Sequence, residues 1–152
     1  FEDLDELVRQ YHIKYIVLDA QPERRKSLEV AIKYYGMCKI CFYPPGINGR
    51  EINVKADEEC TISVDRTSWM DLTLQRFHTG RITVPKDIGI EYRNHVKAPV
   101  RVYEKDQDDN PIGRYIKATS SHDHYAHATV YAEVAFRMAA GVQENVNISG
   151  IL

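Results

Sequence analysis

Two acids and three histidines carry the chemistry that can be read most directly from this 152-residue chain. One acid closes the apolar run Tyr15-Ile16-Val17-Leu18-Asp19. The other stands in Ser120-Ser121-His122-Asp123-His124-Tyr125-Ala126-His127-Ala128, a Ser-capped start to an Ala-rich helix. An acid at the carboxyl end of a buried parallel strand lies where open α/β sheets assemble their sites, because strand ends and loops converge there. His127, four residues after Asp123, shares a helix face with it, and Ala126, Ala128 and Ala132 are small enough to let that helix pack closely. Two carboxylates from separate elements are hard oxygen ligands for Mg²⁺ or Mn²⁺. Two such ions about 3.5–4 Å apart activate water and stabilise a leaving oxygen, which is the chemistry of phosphodiester hydrolysis. Each acid also has a plainer role open to it. Asp19 can bond backbone amides at the turn into the next helix, and Asp123 can complement the helix dipole or share capping with Ser121.

Zinc is the competing chemistry. His124 and His127 lie one helical turn apart, but with His122 they lack a further obvious ligand to complete the usual four. Cys38-x-x-Cys41 falls on a strand, where residues three apart point to opposite faces, and no second Cys pair is present, so buried core thiols are expected there.

The elements that must position these groups follow from periodicity. Leu4, Leu7, Val8 and Tyr11 mark an amphipathic helix, and residues 13–18 form a β-branched and aromatic run expected as a central parallel strand covered on both faces. A helix with Leu28, Ile32 and Tyr35 on its core face should end at Gly36, before a strand over 37–43 that Pro44-Pro45-Gly46 breaks, making a βαβ unit. Residues 47–59 read as a loop and 61–64 as a short strand. A helix capped by Asp65 or Thr67 carries Met70, Leu74 and Phe77 until Gly80, and a weaker helix pattern covers 87–96. Residues 100–104 and 112–117 predict a hairpin whose register its long polar turn leaves open. The last helix runs from about 123 to about 140, and 142–152 read as a tail after a single domain over 1–141.

The order of these motifs carries a family resemblance. An Asp-ended strand, helix and strand come first, then Val64-Asp65-Arg66-Thr67 and Gly80-Arg81-Ile82-Thr83-Val84-Pro85, and last Asp123-His124-Tyr125-Ala126-His127-Ala128 with Tyr131-Ala132. Over residues 4–140 this resembles the nuclease domain of a tailed-bacteriophage terminase large subunit. The resemblance implies an α/β fold of ribonuclease H-like type, a mixed sheet flanked by helices. It also implies two divalent ions, Mg or Mn, and cutting of concatemeric double-stranded viral DNA during packaging. Asp19 and Asp123 would be the second and the C-terminal acids of the catalytic set, both as metal ligands, with His122, His124 or His127 as an accessory ligand or proton carrier. The first acid of that family stands on an opening strand that is not among these residues. The fold is therefore expected to lack its first strands, and the chain alone to have little activity. By the same resemblance the partners are double-stranded DNA, the terminase ATPase domain, the small terminase subunit and the portal. The expected location is the cytoplasm of an infected bacterial host, or of one carrying a prophage.

Composition bounds these expectations. No apolar run is long enough for a membrane span, the acidic, amphipathic first ten residues lack the features of a signal peptide, and three cysteines form no paired framework. No Gly-rich loop followed by Lys-Ser or Lys-Thr occurs, so the packaging ATPase motif is missing. A formal charge of -2 gives no global attraction to nucleic acid, so DNA contact must come from local bases or metal ions. Arg66, Arg81, Arg101 and Lys117 are the candidates, the last two on the predicted hairpin. Two other readings remain open: a non-catalytic docking module of the packaging motor, and a metal phosphohydrolase built on the adjacent His122-Asp123 pair, a class expected to be all-helical.

Overall fold

A computed structural model describes residues 2–54, 60–105 and 108–141. It is a mixed α/β arrangement that divides into two compact units, one of 1–65 with 131–152 and one of 66–130. The expected tail at 142–152 lies outside the described residues. Among the described residues no helix is long and apolar enough to cross a membrane.

The first unit is built on a four-stranded sheet. Strands β1 (Ile16–Asp19), β2 (Cys38–Phe42) and β4 (Thr61–Ser63) run parallel, and the two-residue β3 (Asn53–Val54) pairs antiparallel with β4, giving the order β1-β2-β4-β3. Asp19 stands opposite Cys41 in the register, and the amide of Ala20 continues the ladder by donating to the Cys41 carbonyl. The expected βαβ unit is present, with α2 (Arg24–Lys33) between β1 and β2. β1 is not central, however: it ends the described strand order, and only Ile16 of its residues is buried. The apolar run was long enough for a strand, but run length does not report whether neighbours cover both faces.

The core of this unit gathers Ile16, Ala20, Val30, Ala31, Cys38, Ile40 and Cys60, with Leu4 and Val8 of α1 (Glu2–Gln10) packed against it. Half of the predicted α1 stripe therefore serves the core, while Leu7 and Tyr11 are exposed. The expected face of α2 is corrected. Ile32 and Tyr35 are 60% and 65% exposed, and the helix buries Ser27, Val30 and Ala31 instead. Small side chains let the helix lie close on the sheet, and the Ser27 hydroxyl donates to the Asp19 carbonyl, 3.0 Å away. A polar core contact of this kind leaves no trace in an apolar period. α1 and α2 are clamped at the surface, where Lys33 and the Tyr34 hydroxyl both donate to the Asp5 carboxylate.

The second unit holds α3 (Arg66–His78), α4 (Ile90–Lys97) and an antiparallel hairpin of β5 (Val100–Lys105) and β6 (Pro111–Ile116). α3 ends as expected at Gly80, whose φ of +67° suits glycine. Gly80 N donates to the Phe77 carbonyl and Arg81 N to the Arg76 carbonyl, the paired bonds of a Schellman stop. Trp69 and Met70 are fully buried on α3. The hairpin register, left open by the sequence, sets Val100 against Ile116 and Lys105 against Pro111. Asp71 ties the hairpin to α3, accepting from the Tyr115 hydroxyl at 2.7 Å and pairing with Arg101 at 2.9 Å.

α5 (His124–Ala139) begins in the second unit and ends in the first. Ala126, Val130, Tyr131, Val134, Ala135 and Met138 are buried on it, whereas Ala128 and Ala132 are exposed. Of the three alanines expected to permit close packing, Ala126 alone lies on the buried face. Tyr131 stacks on Tyr43 with ring centroids 5.4 Å apart.

Candidate acidic and histidine sites

Asp19 occupies the exposed carboxyl end of β1, as expected. Its Oδ1 accepts from the Gln21 amide at 2.9 Å, so the plainer turn role is realised as well. Its charge reaches Cys41 and Tyr131. Burial, and after it the negative charge of Asp19, pushes the Cys41 thiol up to about 12. Burial is also the main cause that raises the Tyr131 phenol, with Tyr43 next and a smaller contribution from Asp19. Cys38 is pushed up to about 11, mostly by burial. Cys38, Cys41 and Cys60 are free and buried, which fits core thiols and not a zinc knuckle.

Asp123 immediately precedes α5 and is 6% exposed. A buried carboxylate needs partners, and two face its Oδ2: His127 Nε2 at 3.3 Å and an Arg66 nitrogen at 3.9 Å. Arg66 and His127 are themselves 3.3 Å apart, closing a triangle. The i, i+4 relation of Asp123 and His127 was visible in the sequence. Arg66 as their partner was not, because its approach depends on how α3 packs.

Asp19 and Asp123 belong to different units. Among the described residues no group of three or more His, Cys, Asp or Glu side chains stands ready to hold a metal ion. No family model, curated protein or solved structure matches this chain.

The basic candidates divide by their neighbours. Arg66 is turned onto Asp123 and His127, Arg101 onto Asp71, and Lys117 onto the Ser121 carbonyl at 2.8 Å. Arg81 is exposed just beyond the α3 stop. Arg114, on the hairpin, pairs with Glu104 across the two strands. Two of the hairpin's bases, Arg101 and Arg114, are thus paired with carboxylates.

One grouping was not foreseen. His95 of α4 is 9% exposed and sits among His122, His124 and Tyr125, with ring centroids 5.7, 5.7 and 4.8 Å away. His122 and His124 are 5.5 Å apart. The sequence offered one signal for this, a lone His in the last turn of a short helix, and nothing to connect it with residues 27 and 29 positions later.

Proposed function

We propose that this chain forms part of a divalent-metal-dependent DNA endonuclease of the phage packaging-terminase type, on a ribonuclease H-like fold. Asp19 and Asp123 are assigned as two of its metal-binding carboxylates. The observation that carries this is the placement of Asp19: an exposed acid at the carboxyl end of a strand in the parallel run β1, β2 and β4. Asp19 fits a hard cation, since it is an exposed carboxylate that accepts from the Gln21 amide through Oδ1. Asp123 fits less well, because its Oδ2 already faces Arg66 and His127; it would have to share that carboxylate between these two side chains and a metal. His124 and His127 remain accessory candidates. When bound, Mg²⁺ or Mn²⁺ would supply the charge that activates water and stabilises the leaving oxygen. Double-stranded DNA is the proposed substrate, with the ATPase domain, small subunit and portal as partners in the host cytoplasm.

A second reading is favoured by a specific observation. Both acids already serve the fold, Asp19 at a turn and Asp123 against Arg66, as they would in a docking module without catalysis. The His-Asp phosphohydrolase reading loses ground, because the strands among the described residues are inconsistent with the all-helical architecture it requires. Nicking of supercoiled plasmid in Mn²⁺ separates the first two: Asp19→Asn and Asp123→Asn each abolish cutting by a nuclease and are silent in a docking module.

A further inference from the structure

We propose that His95, His122 and His124 form a site for a single transition-metal ion of the zinc class, held by three imidazoles with a fourth position open to water. This site is independent of the acids assigned above. The three ring centroids form a nearly equilateral triangle with sides of 5.7, 5.7 and 5.5 Å. Its centre lies about 3.3 Å from each centroid, and a ring nitrogen lies roughly 1.1–1.2 Å from its own centroid, leaving about 2.1 Å, a Zn–N bond length. The rings are therefore spaced so that one nitrogen from each can reach a common centre. As the side chains stand, no three donors converge. Rotation about Cβ–Cγ, a soft torsion in histidine, swings a nitrogen inward while leaving the centroid nearly where it is.

The surroundings of His95 point to a ligand. Its Nδ1 is buried and has no hydrogen-bond partner, a costly state for a polar atom. Its Nε2 lies 4.0 Å from the Glu91 carboxylate one turn back on α4. At 4.0 Å this is no hydrogen bond, but a carboxylate on that side is the group that Nε2–H meets in carboxylate–histidine–zinc arrangements, so Nδ1 is the nitrogen assigned to the metal. The Tyr125 ring packs beside His95, with centroids 4.8 Å apart. A cavity of about 560 Å³, lined by Glu91, Asn94, His95, Ser121 and His122 among others, gives a bound ion access to water. Imidazole nitrogens select zinc and its neighbours over Mg²⁺ or Ca²⁺, which prefer oxygen.

The test is titration of the whole chain with Zn²⁺ by calorimetry, and with Co²⁺ followed by visible absorption. One Zn²⁺ per chain is expected, as are the intense bands of four-coordinate Co²⁺, bleached when Zn²⁺ is added. His122 and His124 are exposed, so His122→Ala and His124→Ala should fold normally by circular dichroism. Glu91→Gln, which removes only the supporting carboxylate, should weaken binding by about 10- to 100-fold, and loss of a ligand itself by at least the upper figure. Absence of stoichiometric Zn²⁺ binding overturns the proposal. So does binding that survives both His122→Ala and His124→Ala, or that is lost only with His127→Ala.

Discussion

Replacing Asp123 by alanine would expose how much of its role is structural. The substitution leaves Arg66 and His127 facing each other at 3.3 Å, with the Arg66 Nε already buried and without a partner. Two unit charges about 4 Å apart attract by roughly 4 kcal/mol at an effective dielectric of 20, before the cost of desolvating them. Arg66 is 40% exposed, so water screens its side of the pair, while Asp123 is almost fully buried. The loss should fall between the 0–1 kcal/mol of a surface pair and the 3–5 kcal/mol of a buried one, at about 2 kcal/mol. Asp123→Asn keeps an acceptor for His127 and should cost about half as much. Urea unfolding at pH 7, followed by the fluorescence of the buried Trp69, measures both. The alanine variant should shift the midpoint down by about 1 M, taking a slope of about 2 kcal/mol per M. Losses below about 0.5 kcal/mol, the range of unremarkable surface changes, would refute the coupling, as would asparagine proving as costly as alanine.

Other consequences follow from the same contacts. Asp71→Ala removes the acceptor of Tyr115 and the partner of Arg101, and should cost about 2 kcal/mol in the same assay. Burial first, and the bond to Asp71 second, raise the Tyr115 phenol above its ordinary value near 10. Its contribution is therefore complete below pH 10 and falls as pH rises past it; urea midpoints from pH 8 to 11 should show a decline that Tyr115→Phe reduces. The Lys33 hydrogen bond, followed by that of Tyr34, lowers the Asp5 carboxyl below its ordinary value. That contribution is present above about pH 4 and is lost as pH falls through the lowered value, so Asp5→Asn should flatten the acid limb of the stability profile. Cys38 and Cys41, with thiols pushed up to about 11 and about 12, should resist iodoacetamide at pH 8 in the folded protein and react in urea, as read by mass spectrometry.

What the sequence disclosed was local. The strand ending in Asp19, the βαβ unit, the Gly80 stop and the hairpin all follow from short-range pattern and turn chemistry, and each is present. Errors arose where an answer depended on what packs against a segment. Ile32 and Tyr35 fit a helical stripe but lie outside the face that Ser27 and Ala31 bring to the sheet. β1 reads as central from its apolar run, yet the described strands flank it on one side. The two-residue β3 is too short for any period to reveal. At the candidate site the pairing of Asp123 with His127 was legible because both lie within one turn, whereas Arg66 and His95 arrive from other helices.

The central assignment, Asp19 and Asp123 as metal-binding carboxylates of a DNA endonuclease, is tested most directly by Mn²⁺-dependent nicking of supercoiled plasmid by the full natural protein. Asparagine variants keep shape and hydrogen bonding while removing the charge. The account predicts nicking that requires Mn²⁺ or Mg²⁺ and is lost in both Asp19→Asn and Asp123→Asn while each variant remains folded. Nicking that persists undiminished in both folded variants would contradict it.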